Sequence, residues 1–387
     1  MGDPRTVIGS FDLALPPRIS CGRGRVADLP AVVAGLGSRV QVVTGSTPAR
    51  VAPVLDPLRR GADALEVLTV GAEPTLEDAR SGHALGRALQ AEVVVAVGGG
   101  SPIDLGKAVA MLLANGGDPL DYIEVVGRGQ PITRAPLPLV AVPTTAGTGA
   151  EATANAVLAV REHAVKASLR HPLMVPQHAI VDPELTTDCP PDVTAASGMD
   201  AVTQCLEPYV STQANPLTDA WARMGLMAAG RGLVQAYRDG SDSRAREDMS
   251  LCSLLGGLSL ANAKLGAVHG FAGAIGGMTG APHGAICAAL LAPVCQANLD
   301  RADARLAARF ATVAACLTGV PDATSEDGVH WIEHTCALLE IPGLGAYGLT
   351  VADTNEVVSR AARASSMKGN PVRLTTEELG AIFHAAL

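Results

Sequence analysis

Short runs of β-branched residues alternate with amphipathic stretches through the first half of this 387-residue chain. The runs are RVQVVTG (39–45), ALEVLTVG (64–71), AEVVVAVGGG (91–100), PLVAVPTT (138–145) and HAIVDP (178–183). Between them, residues 75–90 and 101–115 carry apolar side chains at helical spacing. Apolar strands that alternate with helices indicate a parallel sheet covered by helices on both faces. The first half of the chain is therefore predicted to form an α/β domain.

The character of the chain changes near residue 185. The Pro-containing segment TTDCPPDVTAASG (186–198) precedes a long Ala- and Leu-rich region with helical periodicity and no convincing strand run. The chain is also longer than the 100–200 residues of a usual domain. We therefore expect an α/β domain over residues 1–185 and an all-helical domain over residues 186–387.

Composition excludes several classes of partner. The net charge of −9 argues against binding to nucleic acid or to an anionic membrane surface. We find no apolar run of 18 residues and no secretion signal at the start of the sequence. The eight cysteines form no C-x-x-C pair, which favours buried free thiols in a reducing compartment. A cytoplasmic protein without a nucleic-acid or membrane partner is predicted.

The segment VVVAVGGGSPIDLGKAVA (93–110) reads as a buried strand, three glycines and the start of a helix. Ser101 is the expected N-cap, with Pro102 at the first helical position and Asp104 as the capping-box acid. Bare backbone at residues 98–100 and the free N–H groups of a helix N-terminus suit a pyrophosphate. A well-capped turn between strand and helix, without a ligand, is the alternative.

A second polar loop, PTTAGTGAEATANAV (143–157), follows another buried strand. Thr144, Thr145 and Thr148 offer hydroxyl groups there. Two such loops at strand ends of one parallel sheet favour a dinucleotide in the crevice beside them. The motif GRGRVA (22–27) also fits G-x-G-x-x-A, but we see no apolar strand before it and expect no nucleotide there.

Four residues of the second half could bind a metal ion. Asp200 and Gln204 in AASGMDAVTQCLEPY (195–209) lie one helical turn apart and point the same way. His269 and His283 stand in small, apolar surroundings, where a buried imidazole needs a partner. An Asp/His/His set with an open position suits a catalytic Zn²⁺ or Fe²⁺. The alternatives are two satisfied core histidines, Asp200 as a helix cap, and Gln204 as a donor outside the ligand set.

A competing motif is HWIEH (330–334), which matches the H-x-x-E-H zinc pattern of some metallopeptidases. Such enzymes need a further acidic ligand downstream, and little chain remains for one. The surrounding SEDGVHWIEHTCALLEI is typical of an ordinary amphipathic helix, and we interpret it so.

Five ordered motifs together resemble the iron-containing (group III) alcohol dehydrogenase family, to which maleylacetate reductase and glycerol dehydrogenase are related. They are GGGSPIDLGKAVA, PTTAGTGAEAT, KASLRHPLMVPQHAIVDPEL, ASGMDAVTQCLEPYVS and VHGFAGAIGGMTGAPHGAICAALLAPV. The resemblance implies an N-terminal dinucleotide-binding α/β domain, a helical C-terminal domain that holds metal and substrate, and NAD(P) in the cleft between them.

The resemblance also implies roles for individual residues. Gly98, Gly99, Gly100 and Ser101 hold the pyrophosphate, Asp104 lies near the nicotinamide, and Thr144, Thr145, Thr148, Asn155 and Lys166 line the cofactor. Asp200, His269 and His283 fall on metal-ligand positions and, with Asp104, form the expected catalytic set.

Two departures from the family pattern affect the expected metal site. The family's iron enzymes usually carry His where this chain has Gln204, and a further His, often tied to catalysis, corresponds to Gly273. The Asp/His/His set is similar to that of glycerol dehydrogenase, a zinc enzyme, whereas maleylacetate reductases tend to have Asn at the position of Asp200 and work without metal. We expect three firm ligands with Gln204 as a weak fourth, around Fe²⁺ or Zn²⁺.

The expected activity is metal-dependent, NAD(P)-linked hydride transfer between nicotinamide C4 and a small alcohol, aldehyde or keto acid, in a homodimer. Gly45-Ser46-Thr47 ends the second strand where NAD enzymes often carry an acid, which leaves room for the 2′-phosphate of NADP. The rival interpretations are a metal-independent maleylacetate reductase-like enzyme, a lyase of dehydroquinate-synthase type, and an inactive nucleotide-binding homologue.

Overall fold

The computed structural model describes residues 10–71, 73–123, 126–160 and 165–387. These residues form two compact units, one over Ala14–Cys189 and one that joins residues 10–13 to Pro190–Leu387. The division lies four residues beyond the expected boundary at 185, after the 3-10 turn Pro183–Thr186. The two units are described one at a time.

The described residues of the first unit include eight strands. They are β1 (Arg18–Cys21), β2 (Arg39–Gly45), β3 (Ala64–Val70), β4 (Val93–Gly98), β5 (Leu139–Pro143), β6 (Asn155–Val160), β7 (Val165–Arg170) and β8 (His178–Val181). Six form a sheet in the order β1-β8-β5-β4-β2-β3, with every neighbouring pair parallel. β6 and β7 pair antiparallel in a separate hairpin. The predicted parallel sheet is confirmed.

Helices cover both faces of this sheet, as predicted. They are α1 (Leu29–Ala34), α2 (Ala52–Gly61), α3 (Leu76–Leu89), α4 (Gly100–Asn115) and the short α5 (Pro119–Tyr122). β4 is buried along its whole length, and its side chains alternate between two cores. Val93, Val95 and Val97 pack with residues of α1 and α2, whereas Val94 and Ala96 pack with residues of α3 and α4. A strand that is buried on both sides must be apolar throughout, which is why its sequence lacks alternation.

Three strands were not predicted. β1 is a four-residue edge strand with three exposed residues, so it lacks the apolar signature. It directly precedes GRGRVA, where we saw no apolar strand; the strand there is short and largely exposed. β6 begins at Asn155, inside the segment 143–157 that we interpreted as a loop. Its residues alternate between buried and half-buried because only one face of the hairpin packs on the core.

The described residues of the second unit form helices joined by loops and turns, with no strand among them. Its helices are α6 (Pro191–Val210), α7 (Pro216–Arg238), α8 (Ser243–Ala263), α9 (Ala267–Thr279), α10 (His283–Leu299), α11 (Ala304–Thr318), α12 (Ser325–Leu338), α13 (Thr354–Ala362) and α14 (Thr376–Ala385). The predicted all-helical second domain is confirmed. Among the described residues, no single helix is long and apolar enough to cross a membrane, although the bent pair α8 and α9 passes the same length and composition test together.

Candidate active site

The glycine loop closes the end of β4. Gly98 has φ 153°, and a Cβ there would lie 2.6 Å from Pro102 Cγ, so only glycine fits without strain. The helix cap differs from the prediction. Gly99 is the N-cap and α4 begins at Gly100, so Ser101 lies inside the first turn. The helix therefore begins two residues earlier than predicted.

The second polar loop packs directly on this turn. Thr144 N–H donates to Gly98 O at 3.0 Å, because β4 and β5 are neighbours in the sheet. A Cβ built on Gly99 would lie 3.2 Å from Thr145 Oγ1, and one on Gly100 would lie 2.8 Å from Thr148 Cγ2. The structure thus brings the two predicted loops together at the carboxyl ends of adjacent parallel strands, where open α/β sheets bind ligands.

Asp104 faces the β6 hairpin and not its own helix end. Its Oδ2 accepts from Val157 N–H at 3.0 Å, and its Oδ1 lies 3.4 Å from Lys107 Nζ. Lys107 is fully buried and also donates to Thr153 Oγ1 and to Asn155 O, both at 2.8 Å. Sequence reasoning missed Lys107, which connects α4 to the second half of the 143–157 segment.

The remaining predicted cofactor residues lie elsewhere in the same unit. Lys166 on β7 forms an ion pair with Glu73, so its ammonium group already has a charged partner. Gly45 ends β2, with nothing within 4 Å of a Cβ built there, and Ser46 and Thr47 are exposed. The end of β2 is open and carries no carboxylate.

In the helical unit, α6 carries Asp200 and Gln204 in its buried middle. Gln204 Nε2 donates to Asp200 Oδ2 at 2.9 Å, which leaves Asp200 Oδ1 buried without a hydrogen-bond partner. Asp200 is ten residues into the helix, so the alternative that it caps a helix is wrong. A buried carboxylate oxygen without a partner is costly and indicates a missing ligand.

Both histidines point at this oxygen. Asp200 Oδ1 lies 3.4 Å from His269 Nε2 and 3.8 Å from His283 Nε2. His269 is in the first turn of α9, and His283 is the first residue of α10. Gly284, the residue after His283, allows the start of α10 to approach α6 closely, since a Cβ on Gly284 would overlap Ala196 O of α6. The imidazole of His269 is buried, whereas the side chain of His283 is 38% exposed and forms the open side of the cluster.

Glu207 is the partner of His269 that sequence spacing did not reveal. Its Oε2 lies 2.7 Å from His269 Nδ1, and its Oε1 accepts from Val268 N–H at 2.7 Å. A carboxylate on Nδ1 holds the proton there and turns the Nε2 lone pair toward Asp200 Oδ1. Glu207 lies seven residues after Asp200, two turns along the same face of α6, which is the signal that could have found it.

Cys287 is a second residue that sequence reasoning missed at this site. Its Sγ lies 3.6 Å from His283 Nε2 and 4.0 Å from His269 Nε2. One ligand atom from each of Asp200, His269, His283 and Cys287 lies within 4.8 Å of all the others. Among the residues that the structure describes, these four are the one group of His, Cys, Asp and Glu side chains whose donor atoms lie close enough together to bind a metal ion.

The cluster keeps Asp200 anionic. Burial alone would raise the pKa of its carboxyl group, but His283, His269 and the Gln204 amide lower that pKa below its ordinary value. An anionic oxygen beside two imidazole nitrogens is a donor set for a divalent cation.

The competing histidines do not form a comparable cluster. His330, Glu333 and His334 lie on the exposed side of α12 and take no part in the group around Asp200.

The eight cysteines are all free, but three of them are not buried, contrary to expectation: Cys21 is exposed, and Cys189 and Cys336 are half-buried.

Comparison with known proteins gives the family. The iron-containing alcohol dehydrogenase model matches residues 16–183, and the model of the C-terminal region of the Fe-containing alcohol dehydrogenase family matches residues 194–387. The chain belongs to the iron-containing alcohol dehydrogenase family. This confirms the resemblance inferred from the motifs, and places the chain among oxidoreductases that act on CH–OH groups.

Individual relatives agree with this assignment. The chain is 36% identical to a 1,3-propanediol dehydrogenase of Klebsiella pneumoniae over 82% of either sequence. It is 35% identical to alcohol dehydrogenase 4 of Saccharomyces cerevisiae over 81% of this chain and 80% of the yeast protein. A solved 1,3-propanediol oxidoreductase superposes with a TM-score of 0.90 at 32% identity, over 98% of this chain and 100% of the other.

Proposed function

We propose that this member of the family is a metal-dependent, NAD(P)-linked alcohol dehydrogenase or aldehyde reductase. The observation that supports the metal is Asp200 Oδ1, which is buried, has no hydrogen-bond partner and faces two imidazole nitrogens. The donors fit a divalent cation such as Zn²⁺ or Fe²⁺, which supplies Lewis-acid polarisation of the substrate oxygen.

Asp200, His269 and His283 would hold the ion through Oδ1 and the two Nε2 atoms. Gln204 acts through Asp200, because its amide N–H fixes Oδ2 and leaves Oδ1 free. Glu207 acts through His269 in the same way. The exposed side of His283 leaves the small alcohol, aldehyde or keto acid a way to reach the cluster. Gly273 is exposed and has no acid–base group, so the substrate proton must leave through another group, with water as the available carrier.

The cofactor is assigned to the glycine turn and the threonine loop of the α/β unit. Gly99, Gly100 and Ser101 offer the N-terminal N–H groups of α4 to a pyrophosphate, since helix N-termini attract anions. Thr144, Thr145 and Thr148 line the same turn, while Asp104, Asn155 and Lys166 belong to the elements beside it. The open, uncharged end of β2 at Gly45 favours NADP over NAD.

Initial rates with a panel of small aldehydes, alcohols and keto acids test this proposal. Enzyme stripped of metal by a chelator should be inactive, and Zn²⁺ or Fe²⁺ should restore turnover, with a higher kcat/KM for NADPH than for NADH. Asp200→Ala should lose bound metal and turnover together while NADPH still binds. Asp192→Ala, on the exposed start of the same helix, is the matched control.

Three outcomes would contradict the proposal, and each favours one rival. Full turnover of a keto acid by metal-free enzyme would indicate a maleylacetate reductase-like activity. Conversion without net change in NAD(P)H would indicate a lyase. Tight NADPH binding without turnover of any substrate, by fully metal-loaded protein, would indicate an inactive homologue.

A further inference from the structure

We propose that Cys287 Sγ is the fourth protein ligand of the metal ion, and that it makes the site selective for Zn²⁺ over Fe²⁺. The inference rests on the proposed metal site and concerns only this chain's own donor set. It replaces the expectation that Gln204 is the fourth ligand.

The position of Gln204 argues against ligation by its amide. Its nitrogen, which has no free lone pair, faces Asp200, at 2.9 Å from Oδ2. The amide oxygen is buried without a hydrogen-bond partner, but an amide oxygen is not among the usual ligands of Zn²⁺, which are Cys, His, Asp and Glu. The family's usual histidine is therefore replaced at this point by a side chain that positions Asp200.

The position of Cys287 argues for ligation by its thiolate. It follows His283 by four residues on α10, so both side chains lie on one face of that helix. It is buried, with Sγ at 3.6 Å from His283 Nε2 and 4.0 Å from His269 Nε2. Donor atoms that converge from three helices on one buried, unpaired carboxylate oxygen form a site and not merely an isolated thiol.

Four of the six donor–donor distances are close to the edges of a tetrahedron. With bonds of about 2.0–2.1 Å to N and O and 2.3 Å to S, tetrahedral edges are about 3.4 Å for N···O and about 3.6 Å for N···S. The corresponding separations here are 3.4 and 3.8 Å from Asp200 Oδ1 to the two Nε2 atoms, and 3.6 and 4.0 Å from those atoms to Cys287 Sγ. All four donor atoms lie within 4.8 Å of one another, so small side-chain movements would bring them to a common ion.

The donor types determine the preferred ion. Two imidazoles, one carboxylate and one thiolate form an N₂OS set, and thiolate donors favour Zn²⁺ over the harder divalent ions. Formation of the bond from Sγ to the metal releases the thiol proton to solvent, and no oxidant or reductant is needed. A substrate oxygen could still bind, because zinc in catalytic sites can accept a fifth ligand.

Cobalt substitution tests this inference with a readout other than activity. Full-length protein stripped of metal and titrated with Co²⁺ should bind one ion per chain and show the near-ultraviolet charge-transfer band of a thiolate–cobalt bond. Cys287→Ala should bind Co²⁺ and Zn²⁺ at least about tenfold more weakly and lack the band. Cys295→Ala, a buried cysteine two turns further along α10, is the matched control and should keep both.

A second variant separates loss of a ligand from loss of folding. Cys287→Ala combined with Gln204→His should recover Co²⁺ affinity without the sulfur band, since an imidazole then returns to the family's usual place. One tightly bound Co²⁺ per chain without the band in the unaltered protein would overturn the role of Cys287 and leave the proposed function standing. Failure to bind any Co²⁺ or Zn²⁺ would overturn both.

Discussion

At the scale of single residues, the metal cluster depends on groups that set the direction of the ligands. Glu207 holds His269 through Nδ1, and Gln204 holds Asp200 through Oδ2. In each ligand, one polar atom makes this hydrogen bond, and the other, His269 Nε2 or Asp200 Oδ1, faces the centre of the cluster. Such supporting groups usually change metal affinity by 10–100-fold.

Glu207→Gln tests this. The amide can still accept from Val268 N–H through its oxygen, so the local fold should persist, but the charged partner of His269 Nδ1 is lost. We expect Zn²⁺ affinity to fall about 10–100-fold, measured by competition with a chromophoric chelator. Glu333→Gln, at an exposed site on α12, should bind Zn²⁺ as the unaltered protein does. Equal affinity of Glu207→Gln and the unaltered chain would refute the positioning role.

Sequence reasoning at this scale found the residues but not all their partners. Asp200, His269 and His283 were visible as chemically unusual side chains in an apolar region. Glu207 and Cys287 were missed for a physical reason. Both share a helix face with a predicted ligand, Glu207 with Asp200 and Cys287 with His283, but only the packing of α6, α9 and α10 brings them to the imidazoles.

At the scale of elements, buried strands were predicted well and exposed ones were not. β2 has the predicted bounds and β4 lies inside its predicted run, because strands covered on both faces are apolar throughout. β1 was missed because it is short and largely exposed, and the β6–β7 hairpin was missed because it is buried on one face only. The N-cap at Gly99 was missed because glycine has no side chain that indicates a cap, whereas serine is a common N-cap residue and Ser101 lies nearby.

The contact between α4 and the 3-10 turn Ala150–Ala152 predicts a pH dependence of stability. Glu151 lies in this turn, is 1% exposed, and burial raises the pKa of its carboxyl group from 4.5 to about 7, although Lys107 opposes the shift. Between these values the folded protein binds more protons than the unfolded chain, so this group makes the free energy of unfolding fall as pH rises.

Glu151→Gln should remove that contribution. The melting temperature of the variant relative to the unaltered chain should therefore be higher at pH 8 than at pH 5, as measured by calorimetry in matched buffers. Each pKa unit corresponds to about 1.4 kcal/mol, so the change is on the order of 2–3 kcal/mol. Glu77→Gln, at a side chain that is 76% exposed, is the surface control. A difference in melting temperature that is the same at both pH values would contradict the assignment.

At the scale of the whole molecule, the chain divides its chemistry between two compact units. The α/β unit carries the glycine and threonine loops proposed for the cofactor, and the helical unit carries the ligands proposed for the metal. Composition and strand periodicity sufficed to predict both units, because each has one dominant secondary-structure pattern. Family membership confirms alcohol dehydrogenase-type chemistry, whereas the proposed ion depends on Asp200, His269 and His283, at the metal-ligand positions that the resemblance implies, and on Cys287 beside them.

The central claim is that Asp200, His269 and His283 bind one divalent cation. An anomalous difference map, collected at the absorption edge of Zn²⁺ from crystals of the dialysed and zinc-reconstituted enzyme, tests it most directly. We expect a single strong peak per chain, about 2.0–2.2 Å from Asp200 Oδ1 and from both Nε2 atoms. A map with no peak beside these atoms, or with its peak at His330 and His334, would contradict it.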